Sequence, residues 1–97
     1  MKIYISGKIT GTDDYIERFA AAEDRLTAQG HIVINPAKVN AQLPVDTTYD
    51  QYMDMCRIML TMADAIFMMK GWRYSKGASM ENVWARQMGM QVLVEEE

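Results

Sequence analysis

The sequence predicts a small α/β protein, a three-layer sandwich of flavodoxin-like type whose four parallel strands run in the order 2-1-3-4. Three observations carry that expectation. Short strand-like runs at residues 2–6, 31–34, 64–69 and 91–94 alternate with three stretches long enough to be helices. Strands joined by helix-length crossovers pair in parallel with right-handed connections. Residues 64–69, Asp-Ala-Ile-Phe-Met-Met, are almost continuously apolar, the mark of a strand covered on both faces. The 97 residues make one domain, 1–97, with no room for a second independent core.

Each element has a local reason. Lys2-Ile-Tyr-Ile-Ser6 is rich in β-branched and aromatic residues, as strands are. It runs into a turn-forming loop, Gly7 to Asp13, where Thr12 or Asp13 is placed to cap a helix. Tyr15, Phe19, Ala22 and Leu26 then recur at helical steps, and Gly30 stops the helix. A second strand, His31 to Ile34, ends at Asn35-Pro36. From Ala37 to Asp46 the periodicity dissolves, and a long loop is expected. Asp46 or Thr47 opens a helix that presents Tyr49, Tyr52, Met53, Cys56, Met59, Leu60 and Ala63 on one face. The buried strand follows, then a loop from Lys70 to Lys76, a helix over 77–88 ended by Gly89, a strand over 91–94 and a solvated tail, Glu95 to Glu97.

Composition narrows the function. Thirteen acidic residues outnumber ten basic ones, a net charge of −3. That balance excludes a general binder of nucleic-acid polymers, which needs a basic face to offset phosphate. One cysteine and one histidine exclude an internal disulfide and make no zinc cluster, so neither metal nor other cofactor is expected. No apolar run approaches the roughly 20 residues that span a bilayer, and no leader pattern follows Met1, so a cytoplasmic protein without a membrane partner is the expectation. A chain this short buries a modest core, and self-association would bury more.

In an open parallel sheet ligands bind beyond the carboxyl ends of the strands, where strand order reverses. That rule points to the loops Gly7–Asp13 and Lys70–Lys76. It also singles out Glu81. With about 100° per residue, Gly77, Ala78, Trp84, Ala85 and Met88 fall on its side of the helix, while Ser79, Asn82 and Arg86 lie opposite. Glu81 is therefore the one charged residue on the stripe that faces the sheet. Such a carboxylate either caps its own helix or finds other donors and does chemistry. Asp64 opens the buried strand, at the edge of the sheet away from those loops if the strand begins where drawn. The Gly7-Lys8-Ile9-Thr10-Gly11 loop offers amides and a cation to an anion, although it matches neither a P-loop nor a dinucleotide fingerprint. Ser75 and Gly77 repeat the theme at a helix start, where Ser75 also serves as a plain N-cap. Cys56 and the methionines Met53, Met55, Met59 and Met62 read as adaptable core or subunit contact.

Taken in order, Lys2 to Gly11, Gly30 to Pro36, Ala63-Asp64 and Ser75-x-Gly77-x-x-x-Glu81 resemble the nucleoside 2-deoxyribosyltransferase-like superfamily, in particular its small branch found in phages and bacteria. The chain is also similar to the deoxynucleoside 5′-monophosphate N-hydrolases. The resemblance implies homo-oligomers of a flavodoxin-like fold that cleave or transfer at the N-glycosidic bond of a nucleoside or nucleotide. It implies Glu81 as nucleophile, Tyr4 as its active-site tyrosine, and Asp64 near the base or sugar. Gly7, Ile9 and Gly11 fit the substrate loop, and Ser75 and Gly77 fit the loop that holds the 5′ end. Lys8 stands where that pattern has serine, Thr10 where it has arginine, and Val83 where it has glycine. Two further readings of the same sequence are a nucleotide-binding module without catalysis and an assembly domain built on its methionine-rich surface.

Overall fold

Alternation along the first strand decides the layering. The computed structural model describes residues 1–95, in the order β1 (Lys2–Ser6), α1 (Tyr15–Ala28), β2 (Ile32–Ile34), α2 (Pro36–Gln42), α3 (Tyr49–Thr61), β3 (Ala65–Met68), α4 (Lys76–Gln87) and β4 (Gln91–Val94). In β1, Ile3 and Ile5 point into a core shared with Phe19, Ala22 and Leu26 of α1, with Ala37 of α2 alongside. Tyr4 points the other way, into a second core with Cys56 and Leu60 of α3 and Ala78 and Ala85 of α4. Side chains on a strand alternate faces, so one five-residue strand serves both layers.

The sheet is wholly parallel in the order β2-β1-β3-β4, as the sequence predicts. Its register sets Ile3 beside Ala65 and Ser6 beside Met68. The chain moves from β1 to one side for β2, then returns past β1 for β3 and β4. Right-handed crossovers in opposite directions put α1 on one face and α3 and α4 on the other. β3 lies between two partners and its Ala65, Ile66 and Met68 are inaccessible to solvent, which explains its unbroken apolar run.

Three expectations need correction. Residues 36–42, placed at the start of the long loop, form α2. The Asn35 side chain caps it by accepting from Ala37 N at 3.0 Å, and Pro36 occupies the first turn, where its fixed φ costs nothing. Seven residues are two turns, too few for a periodicity to emerge. The helix expected from Asp46 or Thr47 begins at Tyr49, because Thr48 caps it in a reciprocal box with Gln51. The first helix is likewise capped at Asp14, without a side-chain hydrogen bond, and not at Thr12 or Asp13.

The expected solvated tail is also anchored at its first residue. Glu95 N donates to Met68 O at 2.8 Å, and its carboxylate accepts from Lys70 N at 2.8 Å and pairs with Arg25. Glu96 and Glu97 lie outside the described residues.

Leu60 has no solvent exposure and packs beneath Tyr4 in the α3/α4 core. Leu60→Ala is expected to cost about 2–5 kcal/mol in chemical denaturation, the upper part of that range if the two helices cannot close on the gap.

Candidate active site

The strand order reverses at β1, so the segments leaving β1 and β3 diverge and open a crevice at the carboxyl edge. A cleft of about 230 Å³ lies there. Ile5, Gly7, Ile9 and Thr10 form one wall, Ser75, Gly77, Ala78 and Glu81 another, and Pro36, Asn40 and the Thr47–Met53 stretch close it. A second chamber of about 360 Å³, sharing Thr10, Tyr49, Ser75 and Gly77 with the first, adds Lys8, Tyr74 and Lys76. Together they match the few hundred cubic ångströms of a small-molecule site.

Glu81 forms the floor and is only 5% exposed. The Tyr4 hydroxyl donates to its Oε2 in a short hydrogen bond, and the Ser6 hydroxyl donates to Oε1 at 2.7 Å. Both donors stand on the same face of β1, two residues apart. Cys56 of α3, 1% exposed, packs in the same core as Tyr4. Burial dominates the carboxyl group, pushing its pKa up to about 7, and the Tyr4 and Ser6 hydrogen bonds pull against that rise. Burial also drives the Tyr4 phenol well above its ordinary range, with the Glu81 charge adding to it. The arrangement is a desolvated carboxylate, aimed by hydroxyls, at the base of a cleft.

Of the residues singled out from sequence, Tyr4, Gly7, Ile9, Ser75, Gly77 and Glu81 gather at this edge, with Lys8 in the outer chamber. Ser75 caps α4, its Oγ accepting from Ala78 N at 3.1 Å. Gly7 and Gly77 have packing reasons as well. A Cβ on Gly7 would sit 3.0 Å from the Met69 sulfur, and one on Gly77 3.2 Å from the Met53 sulfur and 3.3 Å from the Tyr49 hydroxyl.

Gly11 lines neither cavity and adopts φ +80°, so its work is the turn before α1.

Asp64 is placed elsewhere. It lies just before β3, exposed at the amino edge of the sheet, and its Oδ2 accepts from Lys2 N at 2.9 Å. The strand begins at Ala65, one residue later than the sequence puts it, and its length separates Asp64 from Glu81. Asn82, expected on the outer face of its helix, is 7% exposed, and its Oδ1 accepts from Arg86 Nε at 3.0 Å.

Sequence reasoning passed over Ser6, Asn40, Tyr49, Tyr52 and Lys76. Ser6 was recoverable, since a strand that aims Tyr4 at Glu81 aims residue 6 there too. Asn40 depends on α2, whose existence left no periodic trace. Its Nδ2 donates to the Tyr15 hydroxyl at 3.1 Å, and it presents an amide to the cleft. Among the described residues no group of three or more His, Cys, Asp or Glu is arranged to hold a metal ion. Nor is any helix long and apolar enough to cross a membrane.

A family described as "Domain of unknown function (DUF4406)" matches residues 1–94, which takes in both strands and both helices that build the cleft. The chain belongs to this family. Among solved structures it shares its fold with a 2-deoxyribosyltransferase from the psychrotolerant bacterium Bacillus psychrosaccharolyticus. The TM-score is 0.78 at 19% identity, over 97% of this chain and 71% of that one. No curated protein matches the chain. At 19% identity the likeness establishes the architecture, and the chemistry has to be argued from the site.

Two outcomes follow from the placement of the two acids. Glu81 holds its proton more tightly folded, near pH 7, than unfolded, near 4.5, so its share of stability is full below about pH 4.5 and lost as pH rises through 7. Wild-type melting temperature is expected to fall between pH 5 and pH 8 relative to Glu81→Gln, with the variant more stable at pH 8; parallel curves would place the carboxyl in water. Asp64→Ala is expected to cost about 1 kcal/mol of stability through the lost Lys2 hydrogen bond while leaving ligand affinity in the cleft unchanged, readable by calorimetry.

Proposed function

We propose that the protein cleaves or transfers at the N-glycosidic bond of a (deoxy)nucleoside or its 5′-monophosphate, with Glu81 as the nucleophile. The observation that carries this reading is the buried Glu81 carboxylate, held by Tyr4 and Ser6 at the floor of a cleft that leads to two lysines. The fold shared with a 2-deoxyribosyltransferase, whose published description is of a biocatalyst for nucleoside synthesis, supports it.

Glycosidic cleavage passes through an oxocarbenium-like transition state, which a carboxylate close to C1′ stabilises. Glu81 is the one acidic side chain among the described residues of the cleft. An inverting enzyme needs a second carboxylate to activate water, whereas a double displacement needs only one nucleophile. In the first step a Glu81 oxygen forms an ester bond to C1′. The electrons of the C1′–N bond leave with the base, which takes a proton from solvent because Asp64 is out of reach. In the second step water or an acceptor base attacks C1′ and releases Glu81. Tyr4 and Ser6 keep the carboxylate aimed throughout.

Lys8 and Lys76, with the Ser75 loop between them, supply positive charge where the 5′ end would lie. Asn40 and Tyr52 in the inner cleft face the base. The acidic chain and the small volume of the cleft suit a single nucleotide, not a polymer. Ile58, Met62, Met80 and Val83 stay exposed on α3 and α4, and that apolar surface supports self-association.

Base release from deoxynucleosides and their 5′-monophosphates, followed chromatographically, tests the proposal. Wild-type activity is expected to rise with pH through about 7, as Glu81 ionises. Glu81→Gln and Glu81→Ala are expected to lower turnover by roughly a thousandfold or more, and equal turnover in wild type and variants would remove Glu81 as nucleophile. Tight nucleotide binding with no product over hours would instead assign the pocket to a binding module.

A further inference from the structure

The inner cleft and the outer chamber carry opposite charge. Among the described residues Glu81 is the one charged side chain that lines the inner cleft. Around it stand three aromatic residues, Phe19 of α1 and Tyr49 and Tyr52 of α3, with Met53 beside them. The outer chamber has Lys8 and Lys76, and no acid among the described residues that line it. A ligand that fills both spaces has its positive end inside and its negative end outside.

A departing base meets no positioned acid in the cleft. A neutral base leaves C1′ as an anion unless a proton reaches it, and a placed acid is the usual source. Asp64 lies at the opposite edge of the sheet. Besides Glu81, the inner cleft offers only hydroxyls and the Asn40 amide. The Tyr52 hydroxyl donates to Pro36 O at 3.5 Å, and burial pushes the Tyr49 and Tyr52 phenols above their ordinary range, so neither gives up a proton readily. The serine and threonine hydroxyls are weaker acids than a phenol.

We infer that the site takes a nucleotide whose base carries a positive charge at the ring nitrogen bonded to C1′, the N-ribosyl pyridinium class. The inference rests on the glycosidic reading and names the substrate for it. Such a base needs no acid. As a Glu81 oxygen forms its ester bond to C1′, the electron pair of the C1′–N bond goes to the ring nitrogen, cancels its charge and releases a neutral heterocycle. Water then attacks C1′, the ester bond breaks, Glu81 returns as a carboxylate and one proton passes to solvent.

The walls suit that ligand. Aromatic faces attract a ring cation, more strongly where water is excluded, and the Glu81 carboxylate supplies the countercharge. The titratable groups near Glu81 are Tyr4 of β1 and Tyr49, Tyr52 and Cys56 of α3. All four are pushed up and stay neutral at pH 7, so none adds a charge to the inner cleft. The phosphate at the other end of the nucleotide meets the lysines.

A pair of small probes isolates the charge. 1-Methylnicotinamide and nicotinamide share one ring, with and without the positive charge, and neither has a glycosidic bond to cut. Their affinities for wild type and Glu81→Gln are measured by NMR titration at pH 6 and pH 8. The cation is expected to bind wild type roughly tenfold more tightly than nicotinamide at pH 8. That preference is expected to shrink at pH 6, where Glu81 takes up its proton, and to vanish in Glu81→Gln. Equal affinities in wild type at pH 8 overturn the inference, as does a preference that persists undiminished at pH 6 or in Glu81→Gln. The wild-type comparison between the two pH values decides the matter even if the variant fails to fold.

Base release separates this inference from the reading it rests on. Relative to the uncatalysed rates, release from nicotinamide mononucleotide is expected to be accelerated roughly tenfold or more beyond release from uridine 5′-monophosphate. Equal acceleration of the two overturns the inference and keeps the glycosidic reading. A preference for the charged ring in a protein that releases no base from any nucleotide defeats the glycosidic reading alone.

Discussion

The hydrogen bonds from Tyr4 and Ser6 to Glu81 tie the central strand to the helix that follows β3, and the rest of the site takes its place from them. Taking a carboxylate out of water costs several kcal/mol unless its oxygens are satisfied. Here both oxygens have a hydroxyl donor, and no cation is among the forces acting on the group. A lysine or arginine in the same position would have held Glu81 ionised and quiet. Burial among hydroxyl donors instead leaves its pKa near 7, with the proton free to come and go around physiological pH. Charge of the positive sign is kept one chamber away, on Lys8 and Lys76. The two ends of the site are thus electrostatically distinct.

Packing reinforces this division. Gly77 lets α4 approach Met53 and the Tyr49 ring, so the boundary between inner cleft and outer chamber is a close helix–helix contact. Lys76 holds its ammonium group 5.9 Å from the centre of the Tyr49 ring, within the range of a cation–π contact. Tyr49 is 44% exposed and belongs to both cavities.

Much of this was legible in the chain, for physical reasons that also mark the limits. The four strands announced themselves by β-branched and apolar runs, and the strand order followed from crossover handedness. Glu81 stood out because the helical period put one acid on an apolar stripe. The period failed for Asn82, which is 7% exposed, because a helical wheel knows nothing of the elements packed around the helix. It failed for α2, where Asn35 and Pro36 make a helix by capping and fixed φ, signals that carry no periodicity. Asp64 shows the reverse case. Topology placed it at the amino edge, family likeness drew it toward the chemistry, and the structure sides with topology. Cys56 lay on the correct face throughout, in the core with Tyr4 and Leu60.

β1 is at once the spine of the sheet and the source of both hydroxyls, and its five residues divide strictly by parity. A slip of one position during folding would present Ile3 and Ile5 to the carboxylate and turn the tyrosine and serine into the other core. Such a misaligned chain would bury an acid against aliphatic groups with nothing to accept from. Glu81 thereby doubles as an inspector of strand alignment, and a protein so small gains a penalty against its nearest wrong fold from the same atoms that line its cleft.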